Sequence, residues 1–297
     1  MTATATEARR GHLAMLAFSA LVAGSFSLGS MAANEIDPTA LTAVRFVIAA
    51  AVIWAVALAT GGVPRSALRA PWRYLVLGGL FACYFVLMFE GLKTAPPVSA
   101  AAVFTLTPVL AAGFGYMLLR QVMTRRMALA LGIGAAGALW VIFRADTAAL
   151  LAFRIGQGEA IYFLGCIAHA AYTPMVRLLN RGESAVVFSL GTLLGGSALL
   201  LVWGWGDLRA TDWAALPPIV WITLAYVSVV ASAATFVLVQ YATLRLPASK
   251  VMAYTYLTPS WVILWEIGLG RGAPAALVLG GVAMTVLALS LLLETEG

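Results

Sequence analysis

Charge is what this sequence has least of. Asp, Glu, Lys and Arg make up 10% of the 297 residues, while 62% are hydrophobic; soluble domains run at about 25% charged and about 45–50% apolar. Too little polar surface remains to cover a water-soluble globule, which places almost the whole chain in lipid. Cysteine is nearly absent: Cys83 and Cys166 both lie in apolar runs, so no disulfide framework exists and neither redox chemistry nor a metal is implied. Histidine is equally rare. With only His12 and His169, a histidine-ligated metal centre is not expected. His-Glu-x-x-His, Gly-x-Ser-x-Gly and a glycine loop running into Lys-Ser/Thr are all missing. An enzyme of those classes or a nucleotide-driven pump therefore lacks its chemistry here, and no cofactor is implied. The net charge is +6, but the 18 Lys and Arg are scattered at the ends of apolar stretches. That distribution reports membrane orientation and argues against a nucleic-acid partner.

What the chain does have is apolar length. A membrane-spanning helix takes about 20 mostly apolar residues, and ten stretches qualify: 13–31, 39–60, 74–92, 98–119, 127–143, 160–179, 185–205, 216–242, 251–269 and 273–293. Turn residues and charges separate them, as in Asn34-Glu35-Ile36-Asp37-Pro38, Ala95-Pro96-Pro97 and Gly182-Glu183. The first stretch follows Arg9 and Arg10 and closes on Ser30-Met31-Ala32-Ala33, the layout of a signal peptide. Residues 11–31 are matched in position and style by 158–178, however, so a retained membrane helix is expected. Counted over the loops, twelve Lys and Arg fall on the side of the N terminus and five, Arg154 among them, on the other. Basic residues collect on the cytoplasmic side, so both termini are expected there, in a bacterial inner membrane. Gly191 and Gly195 have the spacing of helices that touch closely in lipid.

The chain also repeats itself. FEGLKTAPPVSAAAVFTLTPV at 89–109 is echoed by VQYATLRLPASKVMAYTYLTPS at 239–260; a shift of 151 residues lays Pro247 on Pro96 and Leu257-Thr258-Pro259 on Leu106-Thr107-Pro108. Self-similarity at half the chain length describes the whole architecture. Five helices per half is an odd number, so the second half enters the membrane upside down. The expected fold is an all-α membrane protein of ten transmembrane helices in two inverted five-helix repeats: a first half at 1–143, an outer linker at 144–157 and a second half at 158–297. Inverted repeats place the substrate site near the bilayer midplane, at discontinuous helices.

Each half opens with a small, polar helix (Ala23-Gly24-Ser25-Phe26-Ser27, then Ala170-Ala171-Tyr172-Thr173) and ends in a Leu-Thr-Pro helix followed by a Gly-rich one. In this the chain resembles the drug/metabolite transporter superfamily, in its ten-helix branch of paired EamA-type domains, and Arg45-Phe46 in the second helix matches that branch. The resemblance covers nearly the whole chain and implies a carrier of small molecules. Within the branch the likeness, in length and layout, is to bacterial exporters of aromatic and other amino acids. One departure stands out. The branch commonly carries Gly-Glu after the fourth and ninth helices, where this chain has Leu119-Arg120-Gln121 and Gly270-Arg271-Gly272, so no ion-coupling role for that Glu carries over.

Depth along each segment, at about 1.5 Å per residue, selects the candidate residues. Pro108 and Pro259 fall near mid-membrane; each frees a carbonyl one turn earlier, near Phe104 and Thr255, and is expected to act as a hinge. Ser25, Tyr84, Thr105, Thr107, His169, Tyr254, Thr255 and Thr258 share that depth and are expected to line a substrate path, since lipid would leave them unsatisfied. Ser and Thr are the weaker members because they can bond back to their own helix. Arg45, Glu90 and Glu266 are the most deeply placed charges, all in the outer third. Pairing of Arg45 with one carboxylate would lower the cost of burial and could serve as an outer gate.

Aromatic residues at this depth (Phe85, Phe104, Tyr172, Tyr226, Trp261) suggest a broad, mainly neutral cavity for amino acids or similar amphiphilic metabolites. The function these features support is export of such molecules by alternating access, by a chain able to work as a monomer in membrane lipid. The alternatives are efflux of lipophilic cations, which would want a carboxylate at true mid-depth, and a membrane-embedded enzyme or structural subunit.

Overall fold

A computed structural model describes residues 5–152 and 155–293, and every regular element among them is helical. The chain runs through α1 (Ala5–Ala32), α2 (Pro38–Ala59), α3 (Trp72–Leu92), the interrupted pair α4 (Pro97–Phe104) and α5 (Thr107–Leu119), and α6 (Arg125–Ile142). A short α7 (Thr147–Leu151) follows, then α8 (Gln157–Leu179), α9 (Ala185–Trp203) and the short α10 (Trp205–Ala210). α11 (Pro218–Ala225) continues through a π-helical stretch, Tyr226–Ala234, into α12 (Thr235–Thr243). α13 (Ala248–Ala253), a 3-10 turn at Tyr254–Leu257, α14 (Thr258–Gly268) and α15 (Ala276–Leu293) complete it. Of the expected linker, Phe153 and Arg154 lie outside the described residues.

Eight of the described helices are long and apolar enough to cross a membrane: α1, α2, α3, the α4–α5 pair, α6, α9, the rod from α11 to α12, and α15. Two expected segments fall short of that measure for visible reasons. α8 has the length, but Gln157, Glu159, His169 and Arg177 dilute its apolar content. The stretch at 248–268 is cut by its 3-10 turn into pieces of 6 and 11 residues.

The helix starts follow from capping chemistry. Asp37 accepts from the N–H groups of Thr39 and Ala40 with Pro38 in the first turn, Thr124 accepts from Met127, and Ser184 from Val187. Each satisfies a donor that the first turn leaves unpaired. Glycine sets how closely the helices approach. A Cβ on Gly78 of α3 would lie 2.2 Å from the backbone N of Gly196 in α9, and one on Gly281 of α15 would lie 2.7 Å from the carbonyl of Gly137 in α6. Such backbone approach in lipid substitutes dispersion for the hydrophobic effect, which is absent there.

The pairings recur between the halves: α3 packs on α8 as α11–α12 packs on α1, α5 lies against α8 as α14 lies against α1, and α2–α9 and α6–α15 pair across the middle. Loop contacts collect at two ends. Asn34 Nδ2 donates to Lys93 O (3.2 Å) at one. At the other, Arg73 donates to Glu183 Oε1 (2.7 Å) and to the carbonyls of Leu179 and Arg69.

Candidate functional site

α1, α3, α8 and α12 meet in a small central void lined by Val22, Tyr84, Phe85, His169, Thr235 and Phe236, among others. Part of its lining comes in pairs. The 151-residue shift relates Tyr84 to Thr235 and Phe85 to Phe236, and the match of 11–31 to 158–178 relates Val22 to His169. The Phe85 and Phe236 rings lie 6.3 Å apart, centroid to centroid. The expected broad cavity is corrected: the void measures about 10 Å³, room for about one water, whereas small-molecule sites run to about 300–1,000 Å³. Aromatic packing closes it. Phe81 sits 4.0 Å from Tyr172 and 4.3 Å from Phe236, and Tyr84 lies 4.6 Å from Phe85. A larger groove of about 600 Å³ opens sideways between α2, α3 and α9, past Trp54, Leu58, Leu68 and Tyr74, but its almost wholly apolar walls place no convergent polar groups.

Within the closed centre His169 is surrounded by rings, with centroids of Tyr84, Phe81 and Phe104 at 4.5, 5.2 and 5.2 Å. Both of its nitrogens are buried without a hydrogen-bond partner among the described residues. An imidazole left so is costly in an apolar interior, and the arrangement suits a group that acquires its partner when a ligand arrives. Around it run two polar contacts between helices. Tyr84 and Tyr162 share a hydrogen bond between hydroxyls (3.0 Å), and Gln240 Nε2 donates to the Tyr172 hydroxyl (2.6 Å), leaving Gln240 Oε1 unpartnered.

Beside the centre the two helix breaks touch. Thr107 Oγ1 donates to Phe104 O (2.7 Å), the carbonyl that Pro108 leaves free, and shares a contact of 3.2 Å with Thr255 Oγ1. Neither proline kinks a continuous helix. Each opens a new piece, α5 or α14, in the first turn, where the missing N–H would have had no partner.

The other expected residues separate. Thr105 turns back on Ala102 O (2.6 Å) in its own helix, and Ser25 and Thr258 are buried with hydroxyls that have no partner among the described residues. Tyr254 leaves the centre and meets His12 Nδ1 through its hydroxyl (3.1 Å). Arg45 pairs with neither carboxylate: Glu90 meets Lys93 (2.7 Å) and Glu266 faces Arg271 (3.7 Å). Arg45 instead crosses to the π-helical stretch, donating from Nε to Ser232 Oγ (2.6 Å) and from Nη2 to Ala231 O (3.0 Å), with its guanidinium 3.6 Å from the Phe85 centroid.

Sequence reasoning missed Phe81, Tyr162, Phe236, Gln240 and Ser232. Gln240 carried a usable signal, an amide inside the apolar run 216–242. The three aromatics carried none, because rings are common throughout such a chain.

Comparison with known proteins places this geometry in context. The model of the EamA-like transporter family matches residues 9–143 and again 156–293. The uncharacterized transporter YyaM of Bacillus subtilis is 26% identical over 274 residues, 91% of this chain and 90% of that protein. The aromatic amino acid exporter YddG of Ancylobacter novellus is 38% identical over 104 residues, a stretch covering 34% of this chain and 36% of that one. A solved crystal structure at 24% identity superposes with a TM-score of 0.73 over 99% of this chain and 100% of its own, a likeness of fold.

Proposed function

The chain belongs to the EamA-like transporter family, and from that premise we propose that it exports small amphiphilic metabolites, aromatic and other neutral amino acids first among them, across a bacterial inner membrane by alternating access. The observation that carries this reading is the closed centre: His169, without a hydrogen-bond partner among the described residues, lies inside an aromatic wall in which Phe85 and Phe236 correspond by the internal repeat. Aromatic faces with a few polar groups suit an amino acid side chain and its backbone. A void of about 10 Å³ admits such a molecule only if the halves move apart, which is the motion alternating access requires. The recurring helix pairs support an inverted-repeat description in which α8 and the split stretch from Ala248 to Gly268 also cross the membrane, making ten crossings in halves at 1–143 and 158–297 with both termini cytoplasmic. The helix breaks at Pro108 and Pro259, bridged by Thr107 and Thr255, are the elements that would flex.

The test is counterflow in liposomes carrying the pure protein, with radiolabelled phenylalanine, tryptophan and leucine, with and without an imposed proton gradient. Exchange of the aromatic amino acids is expected, reduced in His169→Leu at matched protein content. No exchange of any of the three, beside an active control carrier, rejects the amino-acid assignment. Flux that follows the gradient would make His169, Glu90 and Glu266 the proton carriers to vary next.

A further inference from the structure

Arg45 is completely buried, and no carboxylate lies within ion-pair distance of it among the described residues. Its neighbours supply only partial compensation: a hydroxyl from Ser232, one backbone carbonyl from Ala231, and the faces of Phe85 at 3.6 Å and Phe89 at 5.9 Å. Nη1 is buried with no acceptor among the described residues. A guanidinium stays charged, so one compensated this incompletely is costly where it lies, and a state that brings an anion to it would be stabilised. That state lies close to hand. Phe85 and Ala231, which hold the guanidinium, both line the central void. Arg45 therefore stands behind one wall of the same centre that His169 enters from another. The Ala231 carbonyl it borrows is shared with Thr235 Oγ1 (2.9 Å) and belongs to the π-helical stretch, a helix irregularity often found where function demands it.

Resting on the transporter reading above, we infer that Arg45 is the receptor for a carboxylate on the transported molecule, so that the substrates are carboxylate-bearing amphiphiles and not amines. A planar carboxylate accepts two parallel N–H groups from the guanidinium edge; Nη1 offers one that no described residue uses, and Nη2, once released from Ala231 O, offers the other. An anion reaching the centre shifts the Phe85 ring and competes with Ala231 O and Ser232 Oγ for Arg45. Ligand binding would thus loosen a tie between α2 of the first half and the π-helical stretch of the second.

Three probes separate the groups: phenylalanine, 3-phenylpropionate (carboxylate without amine) and phenethylamine (amine without carboxylate), tested by thermal shift of the full-length protein in detergent and as competitors in counterflow. Stabilisation and competition are expected from phenylalanine and 3-phenylpropionate. Phenethylamine should be weaker by about 10-fold to 100-fold, the discrimination that a charge-assisted pair supplies. Arg45→Gln should abolish that difference, and Arg45→Lys, which keeps the charge without the fork, should retain part of it. If Arg45→Gln does not fold, the wild-type series and Arg45→Lys decide. Phenethylamine binding as well as phenylalanine, no response to either carboxylate, or an undiminished preference in Arg45→Gln would each overturn the assignment. Response to 3-phenylpropionate without phenylalanine transport would reject the amino-acid reading alone. Phenylalanine transport unimpaired in Arg45→Gln would leave that reading standing and remove this one.

Discussion

Arg73 and Glu183 form a buried ion pair at one end of the bundle, with side chains 1% and 4% exposed. Burial works to push the Glu183 carboxyl up, but it is outweighed by the hydrogen bond from Arg73 and the backbone N–H of Arg181, so the carboxyl titrates below its ordinary value of 4.5. A group whose pKa is depressed by folding contributes stability that is complete above the unfolded value and disappears as pH falls through the folded one. Thermal stability is therefore expected to drop on acidification below about pH 4.5. Glu183→Gln should lose on the order of 3 kcal/mol at neutral pH, because it strands a buried guanidinium, and should flatten that acid limb. A melting series from pH 7 to pH 3.5 on both proteins checks it, and equal acid limbs would exclude Glu183 as the titrating group. At this scale the sequence was partly legible. His169, Tyr84 and Arg45 stood out because a polar group in an apolar run must answer to something. The ion pair did not, because its members are separated by 110 residues and only the packing of α3 against α8 and the loop beyond brings them together.

Elements were easier to read than their irregularities. Apolar length with turn and charge signals between the runs gave away most of the helices, and the Leu-Thr-Pro repeat located both breaks. The π-helical stretch Tyr226–Ala234 left no mark on the sequence, since a widened turn is selected by tertiary partners such as Arg45 and not by local propensity. The ends of the broken helices carry their own prediction. Gly270 takes the left-handed conformation that closes α14 (φ +73°), as glycine readily does; at the end of α5 the same role falls to Arg120 (φ +55°). A residue with a Cβ pays for that conformation in steric strain. Arg120→Gly is expected to raise thermal stability by about 0.5–1 kcal/mol while leaving counterflow unchanged. A lower melting temperature would show that the Arg120 side chain contributes more than its backbone strain removes.

For the whole molecule, what sequence reasoning supplied was the internal repeat and a class of function; the state of the centre lay beyond it. Composition predicts aromatic walls but not whether they stand apart or together, because that depends on how Phe81 and Phe85 of α3 interlock with Phe236 of α12. The orientation can be tested directly. In a Cys83→Ser, Cys166→Ser background, Ser66→Cys is expected to react with a membrane-impermeant maleimide only after cells are opened, and Ala273→Cys in intact cells. Labelling of both from the same side would contradict the inverted arrangement.

The closed centre has an electrical consequence. Protons and small ions cross membranes along continuous files of water, and a gap of about 10 Å³ between interlocked rings interrupts any such file. On the transport reading proposed above, the protein in this conformation is expected to insulate: vesicles carrying many copies should hold an imposed potential, with leakage confined to the moments when a passenger holds the rings apart.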